Sequence, residues 1–272
     1  MSFDPEAIRA FEHDRWQRAA AVYGSTFASA TQPFIDPLLD AARVAQGHDL
    51  LDIACGPGFV TSRAHARGAN ARGVDFSAAM LSVARTREPD IRFDEGDAET
   101  LPLADAMFDA AVSNFGIHHV PRPQLALRET HRVLRRGGRV AFSFWAEPAE
   151  NVAWRLVFDA LTRHGDRSAA HTPPPGGGFG TAEQCAEALR DAGFADCTTV
   201  LVRAVWQHRD AGSLVAALRA GTARMAAMLE AQQPDAAAAI IGDIAAHAEG
   251  YRAADGRLAV PIAAVIAAGE KH

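Results

Sequence analysis

The stretch Leu50-Leu51-Asp52-Ile53-Ala54-Cys55-Gly56-Pro57-Gly58 decides how the rest of this chain is read. An apolar strand ends in an acid and runs into a turn of small residues that opens a helix. Ala54, Gly56 and Gly58 carry little or no side chain, so a ligand can lie against the backbone there. The free N–H groups of a helix start can bind a carboxylate or phosphate. Taken alone, such a turn is equally a plain structural bend.

Two further acids change that weighting. Asp75 ends a second strand in Gly73-Val74-Asp75-Phe76-Ser77. In a doubly wound sheet that position lies beside the first turn and can accept two hydrogen bonds from ribose hydroxyls. Asp97 ends a third strand in Glu95-Gly96-Asp97-Ala98-Glu99, where an adenine amino group could reach it. Helix N-capping explains any one of these acids, but explains poorly an acid at three successive strand ends.

The alternation continues outward. FVTSRAHARG reads as a helix stopped by Gly68, and Ser77 caps a helix carrying Met80, Leu81 and Ala84 that ends before Pro89. FDAAVSNF is a fourth strand. Ala126, Thr130 and Val133/Leu134 mark a helix expected to run to Gly137-Gly138, and RVAFSFWA is a fifth strand. Short, nearly continuous apolar strands alternating with amphipathic helices predict a parallel sheet covered on both faces.

Upstream, Asp4 caps and Pro5 opens a helix with Ile8, Phe11, Arg15/Trp16, Ala19 and Tyr23 on one face; Pro33 opens another with Ile35, Leu38, Leu39 and Ala42. Downstream, residues 150–164 read as a helix, HTPPPGGGFG as a Pro/Gly loop, TAEQCAEALRDAG as a capped helix and CTTVLVRAVWQ as a strand. Residues 211–250 are Ala-rich and helical, and PIAAVIAAG is a last strand. The expected organisation is an N-terminal helical cap at 1–45 and a core at 46–272 with helical inserts at about 150–180 and 211–250.

The chain has 272 residues, enough for one large domain, or a core with a smaller cap. Its net charge of -6 with no basic run argues against a nucleic-acid partner. Cys55, Cys185 and Cys197 are far apart and in no metal-ligand spacing, which fits a reducing compartment. The start, MSFDPEAIRA, lacks the basic and apolar regions of a signal peptide, and no apolar run is long enough to span a membrane. A cytoplasmic location is expected; the oligomeric state is not legible.

The four segments Asp52–Gly58, Gly73–Ser77, Gly96-Asp97-Ala98-Glu99-Thr100-Leu101-Pro102 and Val133-Leu134-Arg135-Arg136-Gly137-Gly138 resemble, in order and spacing, the motifs of class I S-adenosylmethionine-dependent methyltransferases. The likeness is to the small-molecule group that includes the ubiquinone/menaquinone biosynthesis enzymes. It covers about residues 10–146, and more weakly the closing Leu258-Ala259-Val260-Pro261 strand. It implies a Rossmann-like, doubly wound, mostly parallel sheet of seven strands, the last antiparallel, with helical cap inserts.

It also implies roles. The backbone at Ala54 and Gly56 touches the methionyl part of the cofactor, S-adenosylmethionine, while Asp52 orients the turn and balances positive charge. Asp75 binds the ribose, and Phe76 and Met80 pack on adenine. Asp97 accepts from the adenine amino group, and the Ala98 N–H reaches a ring nitrogen. Asn114 offers its carbonyl to the cofactor's amino group, and Tyr23 closes over the cofactor.

Departures from related patterns narrow the reading. The third glycine of a dinucleotide fingerprint is replaced by Thr61, against a nicotinamide-dependent oxidoreductase. Asn114-Phe115-Gly116 is not the Pro-Pro-aromatic motif of enzymes that methylate amino groups of DNA and rRNA. His118-His119 stands where the quinone enzymes tend to carry Arg-Asn. No Lys-Ser/Thr follows Gly176, Gly177, Gly178 and Gly180, so that loop is not a phosphate-binding P-loop; a lid and a passive loop are both open.

A sulfonium cofactor carries an already activated methyl group, so the protein must supply alignment, a dry pocket and at most one base. His118 and His119, just after strand four, are the candidate catalytic bases, titrating near neutral pH. Trp145, Met225 and Met228 are candidate walls for a small, apolar or aromatic acceptor methylated on O, N or C. The alternatives are an NAD(P)-dependent oxidoreductase, suggested by the sheet and the Gly-rich turn, and a non-catalytic cofactor-binding module, which no partner-binding tail favours.

Overall fold

Neighbouring residues of the opening strand bury on opposite faces. Leu50 packs with Leu38, Leu39, Val60 and Ala64, whereas Leu51 packs with Leu127, Val133 and Leu189. That is the signature of a central strand with helices on both sides. The computed structural model describes residues 3–169, Phe179 and residues 181–272. Gly176, Gly177, Gly178 and Gly180 of the Pro/Gly loop lie outside the described residues, as does the end of the 150–180 insert.

The chain opens with helices α1 (Pro5–Thr26), α2 (Ala28–Thr31) and α3 (Ile35–Ala41). The core follows as β1 (Asp49–Ile53), α4 (Phe59–Ala66), β2 (Asn70–Asp75), α5 (Ala78–Arg87), β3 (Arg92–Glu95), β4 (Phe108–Asn114), α6 (Pro123–Val133) and β5 (Leu134–Trp145). The last part is α7 (Val152–His164), α8 (Ala182–Asp191), β6 (Ala195–His208), α9 (Ala211–Ala220), α10 (Arg224–Glu230), α11 (Pro234–Ala248) and β7 (Leu258–Glu270).

The strands form one sheet in the order β3-β2-β1-β4-β5-β7-β6. β3, β2, β1, β4 and β5 run parallel, with Asp52 level with both Gly73 and Val112. β7 returns antiparallel between β5 and β6. The expected Rossmann-like, mostly parallel sheet of seven strands with an antiparallel last strand is therefore present. The order reverses between β1 and β4, so the crevice at their carboxyl ends is where such sheets bind ligands. A third apolar cluster, built from Phe27, Phe34, Leu156, Trp206, Leu214 and Ile240, joins the N-terminal helices to α7, α9 and α11 beyond that edge.

Local chemistry accounts for the boundaries. Asp4 accepts from the Glu6 and Ala7 N–H groups at the start of α1, with Pro5 at the first helical position. The Ser77 hydroxyl accepts from the Met80 N–H at the start of α5. Thr181 and Gln184 form a reciprocal capping box at α8.

Two expectations need correction. The helix before β5 ends at Val133 rather than at Gly137-Gly138, because Gly137 has φ +77, which no right-handed helix admits. Leu134–Gly138 instead joins β5 through an irregular stretch, where the register with β4 shifts between Phe108 and Ala110. Pro33 does not open α3 directly; it lies in a single 3-10 turn, Gln32–Phe34, and the α-helical run starts at Ile35.

Candidate cofactor and acceptor cavity

The turn after β1 is held in an unusual backbone. Ala54, Gly56 and Gly58 have φ of 54, 51 and 78. For Ala54 this left-handed conformation costs roughly 1–2 kcal/mol, the kind of strain found at ligand sites. Phe115, just past the neighbouring β4, is also left-handed, at φ 57. The two turns touch: a Cβ on Gly116 would lie 2.6 Å from the Ala54 Cβ. A Cβ on Gly56 would meet nothing within 4 Å, so this side of the turn is open. Gly58 differs from its expected role. It does not face the cavity but packs on the Phe93 ring, where a Cβ would come within 2.8 Å.

A cavity of about 470 Å³ lies over these turns, within the range for small-ligand sites. Tyr23, Ala54, Gly56, Asp75, Phe76, Met80, Asp97, Ala98, Asn114, His118 and His119 all line it, as do Trp145, Met225 and Met228.

The acids are held in three different ways. Asp52 is fully buried and accepts from the Thr61 hydroxyl at 2.6 Å through Oδ2. Thus the residue replacing a fingerprint glycine orients the acid. Asp52 Oδ1 has no hydrogen-bond partner, and burial pushes this carboxyl up to about 7. Asp75 accepts the Gly56 and Ser77 N–H groups, each at 2.8 Å, and is pushed up to about 6, again by burial. Each of its oxygens keeps a lone pair for a ligand hydroxyl. Asp97 is less free than expected, because the Arg9 guanidinium of α1 donates to its Oδ2 at 2.9 Å and the Glu99 N–H to its Oδ1 at 2.8 Å.

The Asn114 side chain donates to the Thr31 carbonyl and accepts from Ser143 Oγ, so each end of the amide already has a partner. The Tyr23 hydroxyl meets Thr31 Oγ1 at 3.3 Å, and burial raises the phenol to about 12.

The two histidines separate. His118 is half-buried, with its Nδ1 out of reach of solvent and unpartnered and its ring edge-on to Phe144; desolvation pulls it well below the usual histidine range. It stays neutral, contrary to the expectation of titration near neutral pH. His119 is joined through Nδ1 to Glu12 Oε2 of α1 at 3.0 Å. The Trp16 indole N–H donates to the same oxygen at 3.1 Å, and Arg224 Nε of α10 lies 2.8 Å from Glu12 Oε1. Aromatic rings form the remaining wall: Phe115 stacks on Trp145 with centroids 3.9 Å apart, and Trp145 tilts onto Trp154 at 4.4 Å.

The sequence reading passed over Arg9, Glu12, Gln17 and Arg224. Gln17 Oε1 accepts from both the Ser77 hydroxyl and the Ala79 N–H, fastening α1 over α5. One signal was present. Glu12 lies four residues after Ile8 and four before Trp16, a charge on the apolar stripe of its helix. Arg224 gives no such signal.

Comparison with known proteins joins this geometry to a family. Residues 51–142 match a family profile described as a methyltransferase domain. Over that stretch the chain is similar to methyltransferase domains. The match covers the turn after β1, Asp75, Asp97, Asn114 and both histidines. Among curated relatives, a demethylmenaquinone methyltransferase of Paenarthrobacter aurescens (strain TC1) is 38% identical over 121 residues, 44% of this chain and 47% of the relative. A malonyl-[acyl-carrier protein] O-methyltransferase of Pseudescherichia vulneris is 35% identical over 156 residues, 56% of this chain and 61% of the relative. The chain thus spans about half the length of the curated relatives it matches. A solved structure, a putative methyltransferase from an antibiotic biosynthesis pathway of Anabaena variabilis ATCC 29413, superposes with a TM-score of 0.61 at 15% identity. The superposition covers 86% of this chain and 96% of that one, a likeness of fold.

The site's own chemistry fits S-adenosylmethionine. An unpartnered, buried carboxylate oxygen suits a cationic head group, the open Gly56 backbone suits a close approach, and Asp75 suits a vicinal diol. Among the described residues no helix is long and apolar enough to cross a membrane.

Proposed function

We propose that the protein transfers a methyl group from S-adenosylmethionine to a small, apolar or aromatic organic acceptor. The observation that carries this reading is the convergence of the residues assigned to the cofactor, from α1, β2, α5, β4 and the turns after β1, β2 and β3, on one cavity. The cofactor supplies a methyl group on a cationic sulfur. The protein's part is binding, alignment and exclusion of water, and alignment alone can lower the barrier by roughly 7–11 kcal/mol.

In this reading Asp75 takes the ribose hydroxyls, while Phe76 and Met80 flank the adenine. Asp97, already braced by Arg9, and Ala98 read the adenine edge. The backbone at Ala54, Gly56 and Asn114, with Asp52 Oδ1 beneath, holds the methionyl end. Tyr23 closes the cavity from α1. The acceptor occupies the side walled by Phe115, Trp145, Trp154, Met225 and Met228.

The relatives differ in the acceptors their names give, demethylmenaquinone and malonyl-[acyl-carrier protein]. Their names therefore do not transfer an acceptor to this chain, and its own wall is the better guide. Three unpaired cysteines accord with a cytoplasmic setting.

Isothermal calorimetry with S-adenosylhomocysteine tests the cofactor half. Micromolar binding is the expected outcome, and absence of binding at millimolar ligand ends the proposal. Thermal stabilisation by NAD(H) or NADP(H) in its place would favour the oxidoreductase reading instead.

A further inference from the structure

We propose that His119, oriented by the buried carboxylate of Glu12, accepts the proton of a phenol-like hydroxyl carried on the acceptor's aromatic ring. The inference rests on the methyltransferase reading above and names the acceptor class for the same cavity.

Three observations carry it. First, His119 Nδ1 lies 3.0 Å from Glu12 Oε2, while among the described residues no protein atom hydrogen-bonds to its Nε2. A carboxylate can only accept, so the shared proton sits on Nδ1 and the lone pair on Nε2 is left for the cavity. Second, the ring is fixed on its other sides, edge-on to Trp16 at 4.9 Å and tilted against His118 at 4.1 Å. Third, the same cavity is lined by Phe115 stacked on Trp145, with Trp154 against Trp145, an aromatic lining complementary to another ring.

The charged and titratable groups facing His119 are Glu12 from α1, Arg224 from α10 and His118 from its own turn. Arg224 Nε lies 2.8 Å from the other oxygen of the buried Glu12 side chain, so Glu12 is held between a cation from α10 and the His119 ring. His118 has no carboxylate partner and does not share the role. Glu12 touches no reacting atom; it is a positioning residue, with the orienting part that an acid plays behind a histidine base.

The step balances as follows. The acceptor's O–H bond breaks and its proton goes to Nε2 of His119. The oxygen keeps the bonding pair and forms the bond to the methyl carbon, while the methyl–sulfur pair leaves on sulfur as a neutral thioether. The proton then passes from the imidazolium to water.

The test has two arms. Long-range ¹⁵N–¹H spectra of histidine-labelled protein read the tautomer of His119 without any methyl transfer. The expected result is neutral His119 protonated on Nδ1, with Glu12→Gln moving population to the Nε2–H form. A wild-type ring protonated on Nε2, or a tautomer indifferent to Glu12→Gln, overturns the proposal.

The second arm follows labelled methyl from S-adenosylmethionine to a series of phenols and naphthols of graded acidity. His119→Gln should lower kcat/KM about 10²–10⁴-fold for weakly acidic members, with a shrinking loss for nitrophenols already ionised in solution. Its affinity for S-adenosylhomocysteine should stay unchanged. A loss equal across the series overturns the base. No transfer to any phenol, with S-adenosylhomocysteine still bound, overturns the acceptor class and leaves the methyltransferase reading standing. Failure of wild-type protein to bind S-adenosylhomocysteine removes that reading instead.

Discussion

Asp52 and Asp75 are buried carboxyls whose neutral forms are favoured in the unliganded protein, at about 7 and about 6. A carboxyl raised above its unfolded value of 3.8 favours folding only while protonated; that contribution is lost as pH rises through about 6 to 7. Asp52→Asn should therefore stabilise the free protein at pH 8, by about 1–3 kcal/mol or a few degrees in Tm, and have little effect near pH 4. A gain equal at both pH values in thermal unfolding would contradict this origin. The same burial sets the pH dependence of binding. A ligand ammonium needs ionised Asp52, so calorimetric affinity for S-adenosylhomocysteine should fall as pH drops below about 7. Asp75→Ala removes an acceptor for two hydroxyls and should weaken that affinity by about 1.5–3 kcal/mol at pH 8. Unchanged affinity would remove Asp75 from the site.

At the scale of elements, the cavity exists because two turns and one helix meet. The turn after β1 and the turn after β4 are in contact through Ala54 and Gly116. Gly116→Ala would bring a Cβ to 2.6 Å from Ala54 Cβ and 2.7 Å from Ser113 Oγ, forcing the turns apart. The overpacking should cost about 1–3 kcal/mol in denaturant unfolding, together with a loss of cofactor affinity. Helix α1 covers the edge and is pinned at both ends of its buried face. Arg9 bonds Asp97 and Glu99, each at 2.9 Å, and Gln17 bonds the start of α5. Arg9→Ala should therefore speed dissociation of S-adenosylhomocysteine in stopped-flow displacement while barely moving Tm, because the pair with Asp97 is partly solvent-exposed and the buried Glu99 keeps Arg122 as a partner. A slower off-rate, or an unchanged one, would separate Arg9 from the closing of the cavity.

For the whole molecule, a ligand that joins α1, β1, β2 and β4 binds only the folded state. At a hundredfold excess over Kd, S-adenosylhomocysteine should stabilise the protein by about 2.7 kcal/mol, read as a rise in Tm of several degrees. The apolar cluster joining the N-terminal helices to α7, α9 and α11 is part of the same unit. Gly221 sits at a close approach there: a Cβ would lie 2.0 Å from the Phe27 Cβ. That contact ties the end of α9 to the junction of α1 and α2, and so to the aromatic wall of the cavity.

The amino-acid sequence by itself determined the sheet, its edge and the residues proposed to hold the cofactor. Each of those features is written within one strand, one turn and the following helix start, as in Asp52–Gly58 and Gly73–Ser77. Backbone geometry and hydrogen bonding over a few residues leave little freedom there. Only the tertiary structure brought together the residues proposed to meet the acceptor. Glu12 and His119 are 107 residues apart, and Arg224 reaches them from an Ala-rich helix whose apolar pattern fits several packings. The two adjacent histidines differ in partner, His119 being joined to Glu12 while His118 Nδ1 has none, and that depends on which helices close over them, a property that no local spacing encodes.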